Sequence, residues 1–356
     1  MACNGAGQLP VIQIHPSLRC NLSCGHCYSH SGPSAALRLD LATACDAVSD
    51  AARMGYRVVS VSGGEPMLYD GLVELLDHAK SLRLLTTVTS NGFFLDAKHL
   101  DALRGRVDLL ALSLDGPPAL HNAMRGSPRA FQRLAAGLAN VRRAGIEFGF
   151  IHTLTQHTWA HLMWVAAYAA RKKAGLLQIH PLELSGRAAD TMPGDAPPFD
   201  VAGRAYLLAA ALSGKYADRM QIQIDLLHRD TIAARPDLVY ASDPAADETA
   251  SPASLLKVIV LQADGTVVPV SHGFDRRYAL CNVHEQRLAD AWPAYRDDGY
   301  RRFTALCRQE FAAIRAGDAP LLMNWHERIV ARSQAAGTGV PLPAPRAARA
   351  HRAPPP

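Results

Sequence analysis

Short apolar runs alternate with amphipathic stretches through the first half of the chain. Six of these runs are rich in β-branched and aliphatic residues, which suit a buried pleated surface, so they predict strands. The predicted strands cover residues 11–15, 58–63, 84–91, 109–115, 148–154 and 176–182. Between them, apolar residues recur at helical spacing. The predicted helices cover residues 41–54, 71–82, 97–103, 131–144 and 160–172.

The alternation of strand and helix predicts a parallel sheet built from right-handed βαβ units. Six units are too few for a closed eight-stranded barrel, which leaves a partial barrel or a doubly wound sheet. In a barrel, functional residues gather on the loops that follow the strands. Each of the main motifs described below follows a predicted strand. We therefore expect an α/β fold, a partial (β/α)6 TIM-like barrel over residues 9–190.

A different pattern begins after residue 190. Residues 191–253 contain a predicted last barrel helix, an extended run and a linker. Residues 255–270 then alternate as a hairpin around the turn Ala263-Asp264-Gly265, and a helical segment starts at Leu288. We assign residues 254–335 to a small C-terminal α+β module. Residues 336–356 are rich in Ala, Pro and Arg and predict a disordered tail.

Composition limits the function classes that need considering. The chain has 356 residues, 49% of them hydrophobic, yet no uninterrupted apolar run reaches the length of about 18 residues that indicates a membrane span. Seven cysteines, three of them clustered, fit a reducing cytoplasm better than a disulfide framework. The formal net charge is +5, and Arg346, Arg349 and Arg352 of the tail carry three of these charges. The small remainder does not indicate a nucleic-acid partner.

Three cysteines, Cys20, Cys24 and Cys27, lie directly after the first predicted strand. Thiolates with this Cys-x3-Cys-x2-Cys spacing can bind three corners of a cubane iron–sulfur cluster. A cubane cluster has four irons, so one iron would remain open to an exchangeable ligand. That open iron is where a small molecule would bind and receive an electron.

A structural zinc site is the alternative use of these cysteines. Its fourth ligand would be a nearby histidine, His15, His26 or His30. Zinc sites usually pair two Cys-x2-Cys segments across a gap, and the sequence contains one such segment. The spacing by itself therefore favours an iron–sulfur cluster over zinc.

A second motif, Gly63-Gly64-Glu65-Pro66, ends the second predicted strand. Two glycines let the backbone approach a ligand closely, and exposed carbonyls beside a carboxylate can receive an ammonium group, although a tight turn uses the same glycines. Taken together and in this order, the cysteine triplet and the Gly-Gly-Glu-Pro motif resemble those of the radical S-adenosylmethionine (radical SAM) enzyme superfamily. The resemblance covers roughly residues 9–188.

The resemblance implies two cofactors, a [4Fe-4S] cluster and S-adenosyl-L-methionine (SAM). The three cysteines would ligate the cluster, and the amino and carboxylate groups of the methionine part of SAM would chelate the open iron. By the same resemblance, the residues that would hold the amino group of SAM are Gly63, Gly64 and Glu65.

Four further residues match family positions near the rest of SAM. His26 stands just before the third cysteine, where the family often has an aromatic ring near adenine. Ser113 and Asp115 end the fourth predicted strand and match positions near the ribose. Arg125 is a candidate partner of the methionine carboxylate. Two of them have plain alternatives, because Asp115 can form an Asx-turn and Arg125 can be a surface ion-pair partner.

Residues 191–292 resemble the C-terminal extension of the SPASM/twitch subgroup, whose members modify peptides and proteins and carry auxiliary iron–sulfur clusters. Val270 and Cys281 stand where that subgroup typically has a cysteine and a glycine. Only Cys281 and Cys307 lie in the C-terminal module, residues 254–335, and these are too few thiolates for a second cluster. We expect a cluster-free module that acts as a substrate lid. Cys281 is then either a hydrogen-atom donor to a substrate radical or a small buried residue.

The resemblance implies an enzyme that cleaves SAM reductively at the cluster and whose 5′-deoxyadenosyl radical abstracts hydrogen from a substrate. The expected substrate is a peptide or protein, as in the maturation of ribosomally made peptides. The alternatives are a small metabolite (a sugar, amino acid or nucleoside) and a non-catalytic metal-binding scaffold. The intact Gly-Gly-Glu-Pro motif argues against the scaffold.

Candidates for substrate contact come from the later strands. His152 ends the fifth predicted strand, and Gln178 and His180 alternate along the sixth, although a satisfied core histidine is as plausible. The expected partners are the substrate and an external electron donor such as a flavodoxin or ferredoxin. The chain shows no N-terminal domain to capture a leader peptide, so we also expect a separate peptide-recognition protein to be able to fill that role.

Overall fold

The computed structural model describes residues 9–241 and 250–338. All six predicted strands of the first half form, and a further parallel strand follows them. The seven strands are β1 Val11–Ile14, β2 Val58–Val61, β3 Leu85–Ser90, β4 Leu109–Ser113, β5 Phe148–Leu154, β6 Leu176–Pro181 and β7 Gln221–Ile224. The predicted tail lies, from residue 339 onward, outside the described residues.

Helices connect consecutive strands of this sheet. Asp40 caps the N-terminus of helix α1: its carboxylate accepts a hydrogen bond from the Thr43 N–H and so satisfies a donor that the first turn leaves free. The helices of this part are α1 Leu41–Arg53, α2 Leu72–Ser81, α3 Ala97–Leu103, α4 Pro118–Met124, α5 Ala130–Arg143, α6 Leu162–Lys172, α7 Arg187–Thr191 and α8 Phe199–Lys215.

Strands β1 to β7 are parallel and lie in sequence order. Because each right-handed crossover places its helix on the same face, sequential order keeps the helices on one side of the sheet. A doubly wound sheet would instead reverse its order at a switch point. The predicted α/β partial TIM-like barrel is therefore confirmed, and the carboxyl ends of its strands share one rim.

The two faces of the sheet differ in polarity, and the strand register shows which residues share a face. Phe150 of β5 lies level with Leu177 of β6, and its ring contacts Tyr168 of α6 at a centroid distance of 6.0 Å, so this row faces the helices. Gln178 of β6 belongs to the other row and lies level with Gln223 of β7. The inner face of the barrel is therefore polar along these two strands.

The described residues of the C-terminal part form five short strands and five α-helices. These elements are β8 Leu227–His228, α9 Arg229–Ala234, α10 Pro252–Leu255, β9 Val258–Leu261, β10 Thr266–Pro269, β11 Cys281–Asn282, α11 Leu288–Asp297, α12 Gly299–Ala316, β12 Leu322–Met323 and α13 Trp325–Thr338. None of the helices in residues 9–241 and 250–338 has the length and apolarity that crossing a membrane requires.

The predicted hairpin forms from β9 and β10, and it extends the main sheet. Strand β9 also pairs in parallel with β1, so that Val258 lies opposite Val11. The described sheet has the order β11-β10-β9-β1-β2-β3-β4-β5-β6-β7. This pairing covers the edge of β1, whose backbone groups would otherwise lack partners. The division of the chain at residues 190 and 253 stays a prediction.

A second contact joins the C-terminal part to the other end of the barrel. Strand β12 pairs with β8, which follows directly after β7, and Leu322 lies opposite His228. Helix α13 begins two residues after β12. Its first residues are therefore placed next to the carboxyl ends of β6 and β7.

Candidate active site

The cysteine loop, residues 15–39, follows β1 and is held by backbone hydrogen bonds. The Cys20 N–H donates to the Gly32 carbonyl at 3.0 Å, and the Cys27 N–H donates to the Cys24 carbonyl at 3.3 Å. The three cysteines pack with Leu22 and the partly buried Phe93 in a small apolar cluster of their own. The loop therefore presents three sulfurs in one water-poor place at the barrel rim.

The surroundings of Cys20 suit a metal-bound thiolate. Its sulfur lies 3.5 Å from the Leu22 backbone nitrogen and 3.7 Å from the Asn91 side-chain nitrogen, and both groups donate to it. Burial raises the pKa of the Cys20 thiol to about 12, so an unaccompanied thiolate is disfavoured there. A cationic cluster supplies the missing positive charge, and N–H groups aimed at its sulfurs tune its potential. The donor set therefore fits a [4Fe-4S] cluster.

The zinc alternative requires ligands that converge on a single ion. In the described part of the chain, no three His, Cys, Asp or Glu side chains are grouped closely enough to hold one metal ion. His15 is occupied elsewhere, because its Nδ1 lies 3.0 Å from Nδ1 of His272 and its Nε2 lies 3.0 Å from the side-chain nitrogen of Gln13. His30 lies 3.5 Å from a carboxylate oxygen of Asp190. Iron–sulfur ligands bind separate irons and need no common point.

The Gly63-Gly64 turn lies directly against the cysteine loop. Gly63 has φ +96°, a conformation that favours glycine, and a Cβ on it would stand 2.8 Å from the Ser17 carbonyl oxygen. A Cβ on Gly64 would stand 2.2 Å from the Arg19 carbonyl oxygen. The Gly64 N–H donates to the Ser17 carbonyl oxygen at 2.8 Å, and the Glu65 N–H donates to the Arg19 carbonyl oxygen at 2.9 Å. The two glycines therefore let the loops after β1 and β2 join through their backbones.

We expect Gly64→Ala to disturb this junction, because the new methyl group meets backbone that cannot rotate away. The free energy of unfolding should fall by about 1–3 kcal/mol, as for other overpacked sites, and the iron content after reconstitution should fall with it. Gly203→Ala in α8 is the matched control, since a Cβ there meets nothing within 4 Å. It should leave iron unchanged and raise stability by up to about 1 kcal/mol. Urea unfolding and iron analysis measure both effects. If the two variants changed equally, the close backbone contact at Gly64 would not be what requires glycine there.

Glu65 is 1% exposed and is held by neighbouring groups of the β3 end. One carboxylate oxygen accepts hydrogen bonds from the Ser90 hydroxyl at 2.9 Å and the Met67 N–H at 3.2 Å. The other accepts from the Asn91 N–H at 2.8 Å. Burial raises the pKa of Glu65 to about 7. The carboxylate is thus fixed beside the glycine turn, and its role toward an amino group stays a prediction.

Asp115 and Arg125 form a buried bidentate ion pair next to Cys24. Arg125 donates through Nε to Oδ2 of Asp115 at 2.7 Å and through Nη2 to Oδ1 at 3.1 Å. Although burial opposes it, the guanidinium keeps the pKa of Asp115 well below its usual range. The Cys24 thiol lies 3.9 Å from the Arg125 carbonyl oxygen. Because both side chains are buried, Arg125 is not the surface ion-pair partner of the alternative interpretation.

His26 and Ser113 complete the predicted SAM residues. The His26 ring is buried with its Nδ1 lacking a hydrogen-bond partner among the described residues, and burial lowers its pKa to about 4. The charges of Arg125 and Asp115 both act on this ring. Ser113 is buried at the last position of β4. A neutral imidazole with a free nitrogen suits hydrogen bonding and stacking with a heterocycle.

Two predicted residues are not brought to this site. His152 lies level with Ile179 of β6, in the row that faces the helices, and its Nδ1 lies 3.1 Å from the Leu114 carbonyl oxygen. Gln178 and His180 lie in the opposite row. Cys281 lies on β11 at the far edge of the sheet, where burial and the charge of Asp50 of α1 raise its pKa. The structure thus separates Cys281 from the cysteine loop by two strands, β10 and β9.

The inner face of the barrel carries two acidic residues, Glu183 and Asp225, and the prediction of the site did not include Asp225. Asp225 follows β7, and its Oδ2 accepts hydrogen bonds from Gln178 and from Nδ1 of His180, both at 2.7 Å. Nε2 of His180 lies 3.0 Å from Oε1 of Glu183. The alternation of polar residues along β6 and into the loop after it is the sequence signal for Gln178, His180 and Glu183. The contact of Gln178 and His180 with Asp225 follows only from the pairing register of β6 and β7.

We expect the stability that His180 contributes to depend on pH. Although burial by itself lowers it, hydrogen bonds to Asp225 and Glu183 raise the pKa of His180 from 6.5 to about 10. A group whose pKa is higher in the folded state stabilises that state fully when the pH is below its unfolded-state pKa. This stabilisation is lost as the pH rises through its folded-state pKa. The difference in unfolding free energy between the wild type and His180→Gln should therefore be largest below pH 6.5 and shrink toward pH 10. A difference that does not change with pH would contradict the charged state of His180.

Comparisons with known proteins agree with this geometry. Residues 14–169 match the model of the Radical SAM superfamily. The chain is 31% identical to a pre-heme d1 synthase of Dinoroseobacter shibae over 158 residues, covering 43% of this chain and 38% of that protein. It is 29% identical to a PqqA peptide cyclase of Ruegeria pomeroyi over 283 residues, covering 75% of this chain and 71% of that protein. The chain spans about half the length of several other curated relatives.

The fold resembles that of Streptococcus suis SuiB, solved with its precursor peptide SuiA. The TM-score is 0.63 at 16% sequence identity, and the match covers 82% of this chain and 66% of SuiB. This likeness reaches beyond the barrel into the C-terminal part. Together with the cysteine, glycine and Asp115–Arg125 arrangement at one rim, the family match identifies residues 14–169 as a radical SAM domain.

Proposed function

We propose that this chain holds a [4Fe-4S] cluster through Cys20, Cys24 and Cys27, binds SAM beside it, and modifies a peptide substrate by radical chemistry. One observation carries the proposal. The cysteine loop, the Gly63-Gly64 turn and the buried Asp115–Arg125 pair meet at the carboxyl ends of β1, β2 and β4. In a barrel this rim is where catalytic groups gather.

The chain's own residues supply binding and orientation. When bound, the cluster supplies one electron that cleaves SAM to methionine and a 5′-deoxyadenosyl radical, which takes hydrogen from an unactivated carbon. Glu65 and the glycine turn would hold the amino group of SAM, and the Nη1 of Arg125, which makes neither of the two bonds to Asp115, would be available to its carboxylate. His26 would stand against adenine, and Ser113 near the ribose.

The peptide substrate is supported by the relatives rather than by the barrel. The PqqA peptide cyclase matches 75% of this chain, whereas the pre-heme d1 synthase matches 43%. A relative that matches 75% of this chain shares part of its C-terminal structure as well as the barrel. SuiB, whose fold is similar, is bound to a precursor peptide. The synthase relatives favour the second candidate, a small metabolite substrate.

The proposal includes two partners. An external one-electron donor such as a flavodoxin or ferredoxin would reduce the cluster, because the described residues of the C-terminal module offer only the buried Cys281 and Cys307 as thiols. A separate recognition protein would supply leader-peptide binding where the enzyme itself does not.

The test follows hydrogen from the substrate into 5′-deoxyadenosine. Anaerobically reconstituted, reduced protein would be mixed with SAM and with either the peptide fraction or the small-molecule fraction of a perdeuterated extract of the source organism. We expect deuterium in 5′-deoxyadenosine with the peptide fraction. Deuterium from the small-molecule fraction alone would favour the metabolite reading, and absence of 5′-deoxyadenosine in all mixtures would refute the radical function.

A further inference from the structure

A buried charged cluster lies on the inner face of the barrel, outside the predicted cofactor site. We call Gln178, His180, Glu183 and Asp225 the β6–β7 cluster. Asp225 is 5% exposed in its side chain, whereas His180 and Glu183 are 31% and 22% exposed. The cluster is therefore anchored deep in the barrel wall at Asp225 and opens toward solvent at the other two side chains.

The hydrogen bonds within the cluster engage both ring nitrogens of His180 and one N–H of Gln178. His180 directs both ring nitrogens at carboxylates, and Gln178 gives its side-chain N–H to Asp225. In contrast, Oδ1 of Asp225 is buried and has no hydrogen-bond partner among the described residues. A buried carboxylate oxygen without a hydrogen-bond donor costs free energy. A ligand with an N–H group would supply the missing donor.

The net charge of the cluster also favours a ligand that brings hydrogen-bond donors and positive charge. One imidazolium, His180, faces two carboxylates, Glu183 and Asp225, which leaves an excess of one negative charge. Helix α13 adds Glu327 near Glu183, and burial raises the pKa of Glu327 to about 7, while burial lowers the pKa of His326 to about 4. Arg328, the next cation on α13, is engaged by Glu310. This excess of negative charge favours a cationic ligand over an anionic one.

The cluster adjoins the cysteine loop through the segment that follows β6. Four residues after Glu183, Arg187 donates through Nη1 to the Cys24 carbonyl oxygen at 2.8 Å, and the Ala188 N–H donates to the Cys27 carbonyl oxygen at 3.2 Å. Gly186 packs so closely on the loop that a Cβ there would stand 2.2 Å from the Tyr28 carbonyl oxygen. A group bound at the cluster therefore lies in the same barrel mouth as the proposed radical site.

We propose that the β6–β7 cluster binds a cationic group of the substrate, an ammonium or guanidinium, whose N–H donates to Oδ1 of Asp225. This inference deepens the proposed function and rests on it, because it describes which part of the substrate the barrel mouth holds. In a peptide substrate, the group would be a Lys or Arg side chain or the terminal amine. The cluster would fix the distance between this cation and the carbon that loses hydrogen.

The test is a binding measurement on the reconstituted, SAM-loaded protein. Calorimetric titration would compare n-butylguanidinium and n-butylammonium with n-butylurea, which has a similar shape and no charge. We expect the two cations to bind at the cluster and n-butylurea to bind at least about tenfold more weakly, a difference of about 1.4 kcal/mol. Tighter binding of n-butylguanidinium would indicate an Arg side chain as the substrate group, and tighter binding of n-butylammonium would indicate an amine.

Asp225→Asn is the decisive variant, because its amide oxygen can still accept from Gln178 and His180 while its NH₂ replaces the free oxygen. We expect it, and Glu183→Gln, to weaken cation binding at least tenfold. Asp218→Asn, at an exposed carboxylate outside the barrel mouth, is the control and should bind like the wild type. Labelled His180 should also shift its ring signals in NMR spectra when a cation binds, which checks that the wild-type cluster is the binding site.

Three results would overturn the inference: equal affinity for n-butylurea, wild-type affinity in Asp225→Asn, or no cation binding by folded protein. Formation of 5′-deoxyadenosine by the wild type is measured in parallel. SAM cleavage without cation binding would reject this inference alone. Cation binding without SAM cleavage would reject the proposed radical function alone.

Discussion

Replacing Cys20, Cys24 and Cys27 together with Ala is expected to abolish iron binding and 5′-deoxyadenosine formation. The three cysteines share one apolar cluster at the barrel rim. The other described residues do not bring three His, Cys, Asp or Glu side chains together around a single metal ion. Cluster irons are bound by thiolates, so their removal leaves no site for the cluster. Iron analysis and chromatography of the anaerobic reaction measure both effects.

The matched control changes the same number of thiols elsewhere in the chain. Cys45, Cys281 and Cys307 lie apart from the cysteine loop, and their joint replacement with Ala should leave iron content and 5′-deoxyadenosine formation close to wild type. Loss of iron in the control variant, or its retention when the loop cysteines are gone, would show that the cluster is held elsewhere.

Asp115→Asn is expected to lower the free energy of unfolding by about 3–5 kcal/mol, because it leaves the Arg125 guanidinium buried without its counter-charge. The pair is bidentate and both side chains are buried, so water does not replace the lost partner. Urea unfolding under anaerobic conditions gives the difference from the midpoint and slope. The same variant should impair iron loading, since Arg125 contacts Cys24 through its carbonyl oxygen.

Asp101→Asn is the control for this prediction. Asp101 and Arg104 form an ion pair on α3 at 3.0 Å, with both side chains well exposed. Exposed pairs contribute about 0–1 kcal/mol, so this variant should unfold almost like the wild type. If the two variants lose the same stability, the Asp115–Arg125 pair is not the buried brace that its geometry indicates.

Local pattern was sufficient to predict the barrel and the rim at which its motifs meet. The strands that end at the cysteine loop, at Gly63 and at Ser113 are short β-branched and aliphatic runs, and each precedes a helix. Since parallel strands share one carboxyl edge, motifs that follow successive strands meet there regardless of the details of packing. The cysteine spacing and the two adjacent glycines are likewise local signals.

The contacts that local pattern could not predict join residues distant in sequence. Strand β9 pairs with β1 across more than two hundred residues, and Asp225 meets His180 only because β7 extends the sheet at its other edge. His152 was grouped with Gln178 and His180 from its place near a strand end. The β5–β6 register puts it on the opposite face, since a shift of one residue moves a side chain across the sheet.

The most direct test of the account is the iron and acid-labile sulfide content of the reconstituted wild-type chain. We expect about four irons and four sulfides per chain, because one cluster is held by the cysteine loop. Cys281 and Cys307 in the described C-terminal part are buried on β11 and α12 and offer only two thiols. About eight irons per chain, with four surviving loss of the loop cysteines, would contradict the cluster-free module and the single-cluster mechanism.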